Sequence, residues 1–265
     1  MAYVFPKFED LPSVPNAPQG CLWGFYDKDC RKDEIGSINL LTPEVVKEAS
    51  SEIQTGRHVQ LDWPLDSLKF PTWGRKIYFC DRGGIVGRGV LIDMVRYWAK
   101  IGQDAPDPWG SYEITVDELE AALADQHGTQ TKQGDILLVR TGYIQRHNAA
   151  SDPERQAGTQ ANFRSIGLAP REATLRWLYD RHFAAVVADN VAVEALPVPP
   201  DNGYPSLLLH DWLLVWWGTP LGELWDLEGL GGACSELGRW TFFLTSAPLN
   251  ITGGAASPPG AIAIF

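Results

Sequence analysis

The sequence predicts an α/β fold, and three observations carry that prediction. Apolar runs of strand length bounded by glycine, such as Gly134-Asp-Ile-Leu-Leu-Val-Arg-Thr-Gly142, alternate with stretches of helical period. The helical stretches open on hydroxyl, proline and acidic residues, the groups that satisfy and charge-match a helix start. Hydrophobic residues make up 45% and charged residues 21% of the 265 positions, enough apolar surface to bury a sizeable core. At roughly 100–200 residues per domain, one continuous domain over 1–265 is the simplest division.

Taken in order, Pro6, Pro12, Pro15 and Pro18 make residues 1–20 an extended arm wrapping the surface. Ile35 to Leu41 reads as a short buried strand or turn. Thr42, Pro43 and Glu44 open a helix that runs to about Gln54 and stops before Gly56. His58 to Trp63 alternates like a half-buried strand and ends at Pro64; Gly89 to Val95 is a second strand. Thr115 to Leu123 is a helix with a hydroxyl and acids at its start. Gly134 to Gly142 is apolar almost throughout, as a strand buried on both faces is. A helix from Pro170 spaces Ala173, Trp177 and Leu178 along one side, and Phe183 to Asp189 follows as another buried strand. Asn190 to Tyr204 is a proline-rich loop, Ser206 to Trp217 a hydrophobic helix, Leu224 to Gly238 helical, and Trp240 to Thr245 a strand. The tail, rich in Gly, Pro and Ala, is left without an element.

Charge and cysteine content narrow the function. With Lys+Arg at 22 and Asp+Glu at 33 the formal charge is −11, which argues against a phosphate-backbone binder and against docking on anionic lipid. Cys21, Cys30, Cys80 and Cys234 form no Cys-x-x-Cys pair and are too few for a disulfide scaffold, so reduced thiols are expected. The amino terminus lacks the basic-apolar-small order of a secretory signal, and Leu207 to Trp217 is too short to span a bilayer. The expectation is a cytoplasmic protein with a small-molecule substrate and no nucleic-acid or membrane partner.

No Gly-x-Ser-x-Gly elbow, Walker loop, His-Glu-x-x-His or EF-hand loop is present. The glycines of Gly83 to Gly89 precede a strand instead of following one, which fits a tight turn better than a nucleotide loop. Among the five histidines, His127 and His147 lie in polar surroundings and are expected to be solvated, and His58 can face either way. His182 is placed at a helix end, where the dipole favours a cation. His210 differs: it and Asp211 are the polar residues of a helix otherwise built from Leu and Trp, and a buried imidazole needs a partner. Glu223 follows the turn Gly218-Thr-Pro-Leu-Gly222 and is placed to return beside it. Such a pair is a satisfied core histidine, an acid–base pair, or half of a metal site.

The order Trp23-Gly24, Gly36 to Leu41, Gly87-Arg-Gly-Val-Leu-Ile-Asp93, Gly134 to Gly142 and Leu209-His-Asp-Trp-Leu-Leu214 resembles the cyclase superfamily, relatives of bacterial kynurenine formamidase. Gly238 to Leu249 and Ala256 to Pro259 look especially like its fungal members from biosynthetic clusters. The resemblance implies a swivelling β/β/α fold, a barrel-like mixed sheet flanked by helices, assembled as a homodimer or homotetramer. It implies metal-assisted hydrolysis, with zinc or manganese held by a His-x-Gly-Thr-His-x-Asp motif and a later His and Glu; His210 and Glu223 match the later pair. The first motif is absent: the stretches resembling its flanks, Lys69 to Arg75 and Gly84 to Gly89, are joined by only Lys76 to Gly83. Cys80 and Asp81 at that junction are the substitutes on offer, since one His and one carboxylate are too few for a protein zinc site.

Three readings follow. The first is a cyclase-family enzyme acting on a carbonyl compound: hydrolysis of an amide, ester or lactone, or a ring closure or dehydration in secondary metabolism. His210 is then base or ligand, Glu223 ligand or acid, and Trp212 and Trp216 pocket walls unless they pack the core. The second is a metal-free cyclase or isomerase on the same scaffold, and the third a catalytically inactive, shortened member.

Overall fold

The computed structural model describes residues 3–11, 14, 17–28, 31–61, 84–160, 163–198, 208–248 and 257–265. Its strands, in chain order, are β1 (His58–Gln60), β2 (Ile85–Asp93), β3 (Glu113–Ile114), β4 (Ile136–Arg140), β5 (Gly167–Leu168), β6 (Ala185–Ala188), β7 (Leu221–Gly222), β8 (Thr241–Ser246) and β9 (Ala261–Ile264). The helices are α1 (Pro43–Ala49), α2 (Met94–Lys100), α3 (Val116–Asp125), α4 (Tyr143–Ala149), α5 (Asp152–Arg155), α6 (Glu172–Arg181) and α7 (Glu228–Leu237). Seven strands form one curled mixed sheet in the order β1-β9-β8-β2-β4-β6-β7, and β3 with β5 makes a separate pair. One half, β2-β4-β6-β7, is parallel; the other, β2-β8-β9-β1, is antiparallel.

The parallel half explains the apolar runs. Every residue of β4 is buried, and neighbours along the strand serve opposite faces. Leu137 and Val139 join a core with Val186, α3, α6 and Trp212, while Ile136 and Leu138 join another with Val187, Leu230 of α7 and Leu244. Side chains alternate across a strand, so a strand covered on both faces has no polar position to show.

Several elements differ from expectation. The strand read from Gly89 starts at Ile85, after a left-handed Gly84 (φ +91°), and stops at Asp93, short of Val95. Asp93 caps α2 by accepting the Arg96 amide at 3.0 Å, so its short carboxylate ends the strand and starts a helix. Of the strand or turn read at 35–41 the structure takes the turn, a 3-10 helix over Gly36–Leu40, and the helix opening at Thr42 ends at Ala49 before a 3-10 turn over Ser50–Glu52. The tail carries β9, whose alternating Ala and Ile fill the gap between β1 and β8 and bring Phe265 to full burial. The arm does more than wrap the surface: Phe8 and Leu11 belong to the core. The helix over 206–217 is, among the described residues, a π-helix at Asp211–Trp216, a geometry often found at functional sites. Trp63, Pro64 and the segments 69–75 and 76–83 lie outside the described residues, as do Cys30, Cys80 and Asp81. Among the described residues no helix is long and apolar enough to cross a membrane.

Candidate functional site

The carboxyl ends of parallel strands are where open α/β sheets gather their ligand-contacting groups, and the chain beyond β6 and β7 brings Asp189, Glu194 and Glu223 there. After β6 the chain turns through Asp189, which is fully buried. Its carboxylate accepts Thr141 N and Oγ1, each at 2.7 Å, and Gly142 N at 2.9 Å, tying the end of β4 to the end of β6. Burial pushes its pKa up to about 6 against those hydrogen bonds. The chain then reaches Glu194, 0% exposed. β7 pairs Gly222 with Val187 and ends there, just before Glu223; the residue after Glu223, Leu224, donates its amide to Asn190 O at 3.0 Å. Leu224 adopts φ +55°, a left-handed conformation that a branched apolar residue accepts only where the surroundings impose it.

His210, at the start of the π-helix, enters between Glu194 and Glu223. Its Nδ1 lies 2.9 and 2.8 Å from the oxygens of Glu194, and its Nε2 lies 2.9 Å from Glu223 Oε1. The imidazole side chain is 11% exposed and that of Glu223 32%, but the Glu223 Oε1 atom that meets the ring is itself buried. Glu223 Oε1 has no hydrogen-bond partner among the described residues besides this contact. Burial opposes a charged imidazole here, but the hydrogen bonds and charges of Glu194 and Glu223 outweigh it and push the pKa up to about 9. Each ring nitrogen thus faces one acid.

The sequence-predicted His210 and Glu223 are therefore brought together. Trp212 is 1% exposed and packs on Phe8 and Trp217 in the core, while Trp216 is half-buried against Trp23. His147 is buried, not solvated: it sits on the inner side of α4 with Tyr143 and Ile144. His127 and His58 are exposed. His182 caps α6 as expected for a helix end, yet burial lowers its pKa and its ring stacks on Phe5 at 3.9 Å, so the dipole does not win there. Glu194 is the residue that sequence reasoning missed. Its signal was a lone acid in the apolar run Val191-Ala-Val-Glu-Ala-Leu196, where a carboxylate needs a buried partner.

The divalent metal that the resemblance implies does not fit the described donors. His210 Nε2 and Glu223 face each other, but Glu194 lies on the opposite ring nitrogen and cannot share an ion with them. Among the described residues no group of three or more His, Cys, Asp or Glu side chains could hold a metal, and a protein zinc site takes three or four ligands.

Comparison with known proteins places the chain in a family. A family model described as "Putative cyclase" matches residues 31–195. A solved structure described as a novel cyclase is similar over 92% of this chain and 99% of its own, with 26% identity and a TM-score of 0.73. Isatin hydrolase A from Ralstonia solanacearum is similar over 85% of this chain and 99% of its own, at 16% identity and a TM-score of 0.48. Isatin hydrolase A from Labrenzia aggregata, bound to benzyl benzoate, is similar over 67% of this chain and 60% of its own, at 22% identity and a TM-score of 0.45. Likeness as distant as these two bears on neither site nor substrate. No curated protein matches the chain. The family match runs from before α1 through β2, β4 and β6 to the residue after Glu194, and with the shared architecture it establishes that the chain belongs to the cyclase family.

Proposed function

We propose that this cyclase-family chain is an enzyme that opens or closes an amide, ester or lactone in a small carbonyl compound, with His210 and Glu223 as its acid–base pair. The observation that carries the reading is the 2.9 Å approach of His210 Nε2 to Glu223 Oε1, between side chains that are 11% and 32% exposed. Geometry within hydrogen-bond reach is the first requirement of a proton-transfer pair.

The raised pKa of His210 makes the imidazolium the acid and Glu223 the base, the reverse of the roles expected from sequence. In the hydrolytic direction Glu223 takes a proton from water as its oxygen bonds to the carbonyl carbon. His210 Nε2 gives its proton to the carbonyl oxygen. As the tetrahedral adduct collapses, Glu223 returns its proton to the departing nitrogen or oxygen and His210 regains its own. No metal enters these steps. The acidic chain, net −11, suits a neutral or cationic small molecule better than a polyanion.

The test is a panel of small amides, esters and lactones assayed with the whole chain before and after exhaustive chelation, together with Glu223→Gln and His210→Gln. Turnover that survives chelation and falls 10²-fold or more in either variant, as general acid–base groups typically contribute, is the expected result. Turnover unaffected by both substitutions overturns the reading. A full equivalent of tightly held zinc or manganese, lost together with activity, overturns its metal-free form.

A further inference from the structure

We infer that Glu194 is the positioning residue of this site: it fixes a proton on His210 Nδ1 and so leaves Nε2 as the nitrogen that works, an inference that rests on the acid–base reading above. Both Glu194 oxygens approach the same nitrogen, at 2.9 and 2.8 Å, and the residue is 0% exposed. Among the described residues no other donor reaches this carboxylate. A carboxylate only accepts, and a neutral imidazole carries its single N–H on one nitrogen or the other. If the proton left Nδ1, a nitrogen lone pair would face a buried anion with nothing between them, the costliest arrangement available. With Glu194 as a carboxylate, the geometry keeps the proton on Nδ1 and leaves Nε2 as the nitrogen that faces Glu223.

Backbone packing holds Glu194 in place for this task. The segment around it is laced to β5 and its approach: Leu168 N donates to Val193 O at 2.9 Å, Ala195 N to Leu168 O at 2.9 Å, and Leu196 N to Ser165 O at 2.9 Å. Gly167 lies against the Glu194 backbone so closely that a Cβ there would stand 2.3 Å from the Glu194 carbonyl carbon. A side chain at 167 would push the carboxylate off the imidazole. Glu194, itself shut off from solvent, thus orients the ring, and the rigidity comes from a glycine in a neighbouring strand.

The test is a proton NMR spectrum of the ¹⁵N-labelled whole chain at neutral pH, which needs no substrate. The expected result is a downfield, exchange-protected ring N–H resonance that is absent in His210→Gln, persists in Glu223→Gln, moves upfield in Glu194→Gln and disappears in Glu194→Ala. Glu194→Gln keeps the side-chain shape, so it serves if the alanine variant does not fold. Gly167→Ala should weaken the same resonance although both site residues remain. Absence of the resonance from the unaltered protein, or its loss in Glu223→Gln with no change in Glu194→Gln, overturns the assignment. Failure of every compound in the activity panel would leave this spectrum unchanged, so the two ideas fail separately.

Discussion

Gly36 and Gly218 touch backbone to backbone: a Cβ on Gly36 would stand 2.0 Å from the Gly218 carbonyl oxygen, and the Ser37 amide donates to that oxygen at 3.0 Å. Both residues are left-handed, φ +58° and +64°. Gly218 opens the turn between the π-helix that begins after His210 and the strand that ends before Glu223. The contact therefore anchors the spacing of the pair.

Gly36→Ala should lower stability by about 2–4 kcal/mol, because a left-handed alanine and a hard backbone clash coincide. Gly56 is the control. It too is left-handed (φ +73°), but nothing lies within 4 Å of the position its Cβ would take, so Gly56→Ala should cost only about 1–2 kcal/mol. Urea unfolding of the two variants checks the difference; equal losses would mean that the Gly36–Gly218 contact contributes nothing.

Stability should also report the state of His210. Its folded pKa is raised from 6.5 to about 9, so the folded state binds the proton more tightly than the unfolded chain. The resulting contribution is fully present below pH 6.5 and is lost as pH rises through about 9; at full size it is about 3 kcal/mol. The unfolding midpoint measured between pH 6 and 10 should fall across that window in the native chain. In His210→Gln the same fall should be absent or much reduced.

Arg140 joins the ends of two elements on the α7 side of the sheet. Its Nη1 reaches Asp93 at 3.0 and 3.1 Å, while Nε and Nη2 form a two-pronged contact with Glu228 at 2.9 and 2.7 Å. Arg140→Ala leaves the 2%-exposed Asp93 without its cation and should cost about 3–5 kcal/mol. Arg140→Lys should recover only part of this, since an ammonium cannot reproduce the planar fork. Denaturant midpoints order the three proteins.

The arm gives a fourth expectation. Phe8 is 4% exposed and packs on Tyr179 and Trp212, so Phe8→Ala should cost about 3–5 kcal/mol. The near-UV dichroism of the tryptophans should weaken as well, because Trp212 lies on the helix that His210 begins. Val4, at 88% exposure, is the matched control and should change stability by no more than about 0.5 kcal/mol. A Phe8→Ala chain as stable as the Val4→Ala chain would detach the arm from the core.

By itself the sequence determined what is local. Thr42 and Thr115 cap α1 and α3 through their own hydroxyls, and the apolar runs of β4 and β6 declare a sheet buried on both faces, because capping and alternation act between residues a few positions apart. It also singled out His210 as an imidazole in need of a partner and Glu223 as a candidate. What tertiary structure decided is everything that depends on separation in the chain. The tail becomes a strand because β1 and β8 leave it a slot. His147 is buried because α4 turns inward the side that His147 shares with Tyr143 and Ile144. Glu194 meets His210 because β5 clamps a loop that no pattern of sequence neighbours records. Burying an acid and a base is costly singly and tolerable together, and only the folded chain determines which acid the base will find.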